Sequence, residues 1–309
     1  PDIDIIPIKS LKDVVEMLIG ERPLVKSPTL DIATLPRSTM TIDFSSIHGQ
    51  EQAKRALIIA AAWWHNILMQ WPPGSGKTML AKALAGILPS MEVEEQIELS
   101  KIYSVAWLLT KDTPMVTERP FRIIHHTASE ASIIGWWRDA RPGEISLAHK
   151  WVLFLDEFLE FDKSLLETLR QPLEDGEITI NRVNMSSRYP ARFSLVGAMN
   201  PCPCGYMWDP EKSCSCSSVA IERYRSRLSW PILDRIDIFI QVPRVKAWEL
   251  GSKKAQLTTK EIIHTVEKAR LLQKQRFQGS KVHRNAEMSN SDIDKFANIS
   301  EEARQIAIN

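Results

Sequence analysis

The sequence predicts an α/β fold, a mostly parallel sheet flanked by helices and followed by an all-helical C-terminal part. Apolar runs of strand length at 67–69, 152–155 and 193–199 alternate with segments of helical periodicity at 50–62 and 77–88. Strands buried on both faces of a parallel sheet read as such continuous apolar runs. Beyond about residue 243 only helical spacing remains, as in Ile262, Val266 and Ala269.

In chain order, residues 1–40 hold one short helical pattern (Leu11, Val14, Val15, Met17, Leu18) and then the turn-forming Pro23, Pro28 and Pro36. They are expected to be the tail of a preceding domain plus a linker. The core spans 41–242. Its first helix leads into the 67–69 strand, and its second is stopped by Pro89. Alternation across 177–192 predicts a hairpin between the last two strands. Residues 243–309 form the start of a separate helical domain. Between Lys253 and Arg284 nine Lys or Arg face Glu261 and Glu267, which suits either a solvated helix face or a surface turned to a polyanion.

Composition excludes several classes. The 309 residues are 44% apolar and 25% charged, with a net charge of +1, so disordered and fibrous chains are out. The longest apolar run, 56–64, falls well short of the roughly 18–20 residues that cross a membrane. No secretory leader is visible, and the chain opens at Pro1 without Met. A cytoplasmic fragment is expected. Glycine is scarce, 12 residues or about half the usual ~7%, while tryptophan reaches 10.

Three strand ends carry chemistry. Trp71-Pro72-Pro73-Gly74-Ser75-Gly76-Lys77-Thr78 lies between a strand and a helix. Small residues there let backbone N–H groups curl around a phosphate at a helix N-terminus. Lys77 would reach the β- and γ-phosphates and the Thr78 hydroxyl would bind Mg²⁺. The full pattern, G-x-x-x-x-G-K-[ST], asks for glycine where this chain has Trp71. The run 151–155 delivers Asp156 and Glu157 at its C-terminal end, the edge where open parallel sheets bind ligands. Asp156 suits a Mg²⁺ ligand and Glu157 a base for the attacking water. A third strand ends at Asn200, whose neutral amide can orient that water.

These motifs occur with Asp43-Phe44, His48-Gly49-Gln50, Lys-Ile-Tyr-Ser-Val-Ala at 101–106, Pro-Gly-Glu-Ile-Ser-Leu-Ala-His at 142–149, Arg-Gln-Pro-Leu-Glu-Asp-Gly at 170–176, Asn-Pro-Cys-Pro-Cys-Gly at 200–205 and Leu-Asp-Arg-Ile-Asp at 233–237. Together they resemble the ComM/YifB proteins, magnesium-chelatase-like AAA+ ATPases. The resemblance implies a P-loop AAA+ module with a pre-sensor hairpin insert at 177–192, a helix-2 insert at 132–144 and a partial all-α lid. It places Lys77 and Thr78 in Walker A, Asp156 and Glu157 in Walker B, Asn200 as sensor 1 and Arg235 as the finger that reaches a neighbour's nucleotide. Arg223, Arg225 and Arg227 are rivals for that last role. Ile47 and His48 join the nucleotide-binding set. The implied cofactors are ATP and Mg²⁺, and the implied partners are copies of the chain in a hexameric ring and DNA, without a membrane. The hairpin arginines Arg182, Arg188 and Arg192 suit phosphate contacts.

Trp63, Trp64, Trp71, Trp107, Trp136, Trp137, Trp151, Trp208 and Trp230 stand where that family pattern has glycine. Trp71, Trp208 and Trp230 lie in Pro-rich contexts that favour a small turn residue. Such selectivity is what a UGA codon read under two codes would produce.

Cys202, Cys204, Cys214 and Cys216 are the only cysteines. C-x-C, nine residues, C-x-C could place four thiolates around a structural Zn²⁺. Disulfides or unligated thiols are the alternatives, and a reducing cytosol disfavours the first. His125, His126 and His149 are expected to be structural. Two functions compete, a DNA translocase or branch-migration helicase and a chelatase-like motor remodelling a protein. A non-hydrolysing nucleotide scaffold joins them if Trp71 is genuine.

Overall fold

A computed structural model describes residues 6–26, 42–72, 76–135, 141–181, 186–209, 211–244, 257–280, 282, 284–297 and 299–308. The chain divides into two compact units, Pro1–Ser38 and Thr39–Asn309. The first carries α1 (Leu11–Leu18), begun by a capping box between Ser10 and Asp13.

The second unit is built on a five-stranded sheet in the order β2-β3-β6-β1-β7. Its strands are β1 (Ile67–Gln70), β2 (Phe121–Ile124), β3 (Val152–Leu155), β6 (Ser194–Met199) and β7 (Ile238–Gln241), every pairing parallel. The three central strands β3, β6 and β1 are buried at every position, as their unbroken apolar sequences require. The antiparallel hairpin of β4 (Glu177–Asn181) and β5 (Ser186–Pro190) stands apart as a second sheet.

Both sheet edges escaped the sequence reading. β7 alternates half-buried and exposed residues, so it lacks the continuous apolar run of a central strand. β2 is interrupted by Arg122, whose guanidinium donates to both Glu144 carboxylate oxygens at 2.5 and 2.6 Å. Edge strands bury less and spell out less.

Helices cover the sheet. α2 (Glu51–Trp63) turns Ala53, Ala56, Leu57, Ala60 and Ala61 inward, mostly small side chains, and packs against α3 (Lys77–Ile87) and β7. α4 (Val93–Val105) follows, then the short α5 (Glu144–Leu147), α6 (Lys163–Thr168) and α7 (Arg170–Asp175), with α8 (Ser218–Arg225) and α9 (Trp230–Leu233) before β7. The C-terminal part is helical as expected: α10 (Thr259–Arg276), α11 (Asn290–Phe296) and α12 (Glu301–Ile308). α10 packs on α2, with Gln273 donating to the Ala62 carbonyl at 2.9 Å. No helix among the described residues is long and apolar enough to cross a membrane.

The basic stretch divides. Arg270 and Arg284 turn inward with Arg119 around the Trp64 ring, guanidinium carbons 5.4, 4.1 and 5.5 Å from its centroid. Burial, reinforced by the two neighbouring guanidiniums, pulls Arg270 down to about 9. These two cations therefore belong to the interior, and a polyanion-facing surface loses them.

Candidate functional site

The sheet order decides the site. β3, β6 and β1 are adjacent and parallel, so the segments leaving their C-terminal ends converge on one edge. β1 ends at Gln70 and runs through Trp71 and Pro72; Pro73, Gly74 and Ser75 lie outside the described residues. The chain re-enters at Gly76, the N-cap of α3, with φ +85°. That left-handed conformation suits glycine, and it places Lys77 and Thr78, both half-buried, at the first positions of the helix. Helix N-terminal N–H groups are the natural partners of a phosphate.

Lys77 crosses to the neighbouring strand, where its Nζ donates to the Asn200 Oδ1 at 2.5 Å. Burial pulls the Lys77 ammonium below its ordinary value, opposed by the charges of Asp156 and Glu157. The lysine, the amide and the two carboxylates are thus brought together. Asp156 is half-buried at the end of β3 and its Oδ1 accepts the Glu157 N–H at 2.9 Å. Glu157 sits at φ +53°, a conformation that costs a non-glycine residue about 1–3 kcal/mol and collects at functional sites.

Sequence reasoning missed one participant. His126, just beyond β2, has Nδ1 2.7 Å from the Glu157 Oε2, so the carboxylate is held toward the adjacent strand end. A His two residues past an apolar run was the only signal. His149 is structural as expected. It is fully buried, accepts the Arg192 N–H at 3.1 Å and faces Glu98, and burial pushes it down to about 4. Ile47 packs in the core beside Phe44, and the next residue, His48, has a buried Nδ1 with no hydrogen-bond partner among the described residues.

Arg235 lies at the other end of the sheet. Its carbonyl accepts from the Asn66 side chain at 2.8 Å, and the Asn66 N–H donates to Asp237 at 2.8 Å. Asn66 precedes β1 while the phosphate loop follows it, which leaves about 15 Å of strand between them at ~3.3 Å per residue. The Arg235 backbone is thus a strand length from the end of β1 where its own chain's loop begins. Its guanidinium pairs with Glu174 at 2.5 Å, both side chains half-buried. Among its rivals, Arg227 is held by Glu160 and the Leu159 carbonyl, and Arg225 stacks on Trp208. Arg223 is exposed on α8 and makes no ion pair among the described residues.

The four cysteines follow directly from Asn200. Their sulfurs lie within 4.8 Å of one another, with Cys202 at 3.4 Å from Cys204 and 3.6 Å from Cys214. A tetrahedral site with Zn–S near 2.3 Å has sulfur–sulfur edges of about 3.8 Å, so the cluster fits the ion. No pair is disulfide-bonded. The Tyr206 backbone N–H stabilises the Cys204 thiolate and lowers its pKa to about 6, while burial raises Cys202. Arg244 ties the intervening turn by pairing with Asp209 and Glu211.

A parallel sheet with lysine, paired carboxylates and a polar amide at three adjacent strand ends defines a P-loop nucleotide-binding class. Residues 43–250 match the family described as magnesium chelatase, subunit ChlI. The chain belongs to this family of AAA+ ATPases. It is 42% identical to an uncharacterised protein of Mycobacterium tuberculosis over 93% of this chain and 56% of that one. It is 45% identical to the competence protein ComM of Haemophilus influenzae over 76% of this chain and 46% of that one. It is 41% identical to the uncharacterised protein YifB of Escherichia coli over 75% and 45%. The chain spans about half the length of the curated relatives it matches. The BchI and BchD subunits of magnesium chelatase, fitted to a cryo-EM reconstruction, align with a TM-score of 0.47 and 20% identity, covering 86% of this chain and 73% of that one.

Proposed function

We propose that the chain is the ATP-hydrolysing motor of a DNA translocase or branch-migration helicase of the ComM type. The observation that carries the reading is the division of the machinery between two ends of one sheet. Lys77, Asp156, Glu157 and Asn200 meet at the C-terminal edge, while the Arg235 backbone sits at the opposite edge, a strand length from its own loop. Hydrolysis in such an arrangement needs a neighbour, which supports assembly into a ring.

Within the site, Lys77 exchanges its Asn200 contact for the β- and γ-phosphates of ATP. Thr78 and Asp156 would hold Mg²⁺, which would offset the charge that develops on the phosphates. Glu157 takes the proton of the attacking water, and Asn200, released by Lys77, orients that water. The neighbour's Arg235 meets the γ-phosphate charge after leaving Glu174. Zn²⁺ held by Cys202, Cys204, Cys214 and Cys216 would fix the loop that begins at Asn200. The resemblance to the ComM/YifB proteins implies DNA as the polymer moved.

A protein-remodelling motor is the second reading, favoured by the match to the ChlI subunit family. Substituting Glu157→Gln tests the catalytic core. MgATP should still bind while steady-state hydrolysis falls by about 10²–10⁴, and unchanged turnover would remove Glu157 from its role.

A further inference from the structure

Seven of the ten tryptophans fall among the described residues, and three of these seven, Trp64, Trp107 and Trp208, have positive φ. Only a few per cent of non-glycine residues do, and a bulky side chain there is an outlier. Seven tryptophans should supply well under one. They supply half of the six non-glycine residues with positive φ among the described residues.

Each of the three occupies a place built for glycine. Trp107 follows α4 at φ +60°; its N–H donates to the Ser104 carbonyl and the Leu108 N–H to that of Tyr103. This is the paired bonding of a Schellman helix end with tryptophan at its left-handed position. Trp64 ends α2 at φ +65° with its N–H donating to the Ala60 carbonyl at 2.7 Å, the simpler left-handed cap. Trp208 is the third residue of a turn closed from Asp209 to Tyr206 at 3.1 Å, with φ +66°, the placement for which type II turns take glycine.

Several of the tryptophan side chains gain little from their positions. Trp107, Trp208 and Trp230 are 77%, 58% and 78% exposed. Trp71 and Trp151 are buried, yet neither indole N–H has a hydrogen-bond partner among the described residues, although buried indoles ordinarily find one. Trp107 and Trp208 are displayed to water on a left-handed backbone, Trp71 and Trp151 are enclosed with an orphaned donor, and Trp64 is buried beneath the Arg119, Arg270 and Arg284 guanidiniums. Trp136 and Trp137 lie outside the described residues.

We infer that the natural protein carries glycine at positions 63, 64, 71, 107, 136, 137, 151, 208 and 230, each encoded by UGA. A codon that means glycine in the organism and tryptophan under the table used for translation writes tryptophan at glycine sites. UGA, one base from UGG for tryptophan and from GGA for glycine, is that codon. Glycine scarcity follows, since the 12 glycines present and these nine positions make 21 of 309, the usual glycine share of ~7%. For the nucleotide site the consequence is specific: glycine at 71 completes G-x-x-x-x-G-K-[ST]. That consequence, unlike the residue assignment, rests on the ATPase reading.

The test is the gene's codons together with peptide masses of the protein isolated from the organism that encodes it. UGA codons and glycine masses at the nine positions are expected. UGG codons, or tryptophan masses at 64, 71, 107 or 208, overturn the assignment. A second measurement separates the two claims. The full chain with glycine at all nine positions should bind MgATP in calorimetric titration at least tenfold more tightly than the same chain retaining Trp71. If the glycine protein fails to bind MgATP while masses read glycine, the nucleotide reading falls and the residue assignment stands.

Discussion

At the scale of single residues, the site is held by a few side-chain contacts. Lys77 rests on Asn200, and Glu157 on His126. Lys77 is legible as a candidate from the Gly-Ser-Gly-Lys-Thr motif, and Asp156 and Asn200 because each is the first polar residue after an apolar strand. His126 is not, because its partner is set by the adjacency of β2 and β3, which nothing local encodes. His149 gives a residue-level test. Its folded pKa, about 4, lies below the unfolded value of ~6.5, so the unfolded chain binds more protons between those values. The contribution is complete above ~6.5 and is lost as pH falls toward 4. Denaturant titrations across pH 7 to 4.5 should show stability declining by a few kcal/mol or less. His149→Gln, which keeps an acceptor for the Arg192 N–H, should flatten that decline; an unchanged slope would assign it elsewhere.

At the scale of elements, the three central strands and the first two core helices follow from sequence because burial on both faces leaves an unbroken apolar run. The edge strands do not, since Arg122 and the half-exposed β7 dilute the pattern. Helix ends are where the sequence and the backbone disagree. Trp107→Gly keeps the Schellman bonds and removes the left-handed penalty, so stability should rise by about 1 kcal/mol or more, a few degrees in Tm. A fall would show that the indole contributes packing which outweighs the strain. The cysteine loop is the second element open to test. Folded protein should hold one zinc per chain, and stripping it with a chelator should loosen the segment that starts at Asn200. Hydrolysis should then fall more than MgATP affinity does. Zinc well below one equivalent, or turnover unaffected by its loss, would count against a structural ion.

At the scale of the whole molecule, the separation of Arg235 from its own phosphate loop is what the proposed assembly rests on. The Leu-Asp-Arg-Ile-Asp run is visible in the sequence, but its distance from the loop emerges only when Asn66 is seen to fasten it to the start of β1. Arg235→Ala should bind MgATP normally and lose about 10³-fold or more in turnover. Mixed with Lys77→Ala chains, it should regain part of that activity, since one mutant supplies the loop and the other the arginine. Absence of any rescue would point to Arg223 or to an arginine acting within its own chain.

The most direct measurement is steady-state ATP hydrolysis by the full-length protein carrying glycine at position 71, with and without branched DNA. The expected result is turnover that rises strongly when branched DNA is added and that vanishes in the Glu157→Gln protein. Turnover indifferent to DNA would contradict a DNA motor and favour remodelling of a protein partner, and no turnover under either condition would contradict hydrolysis itself.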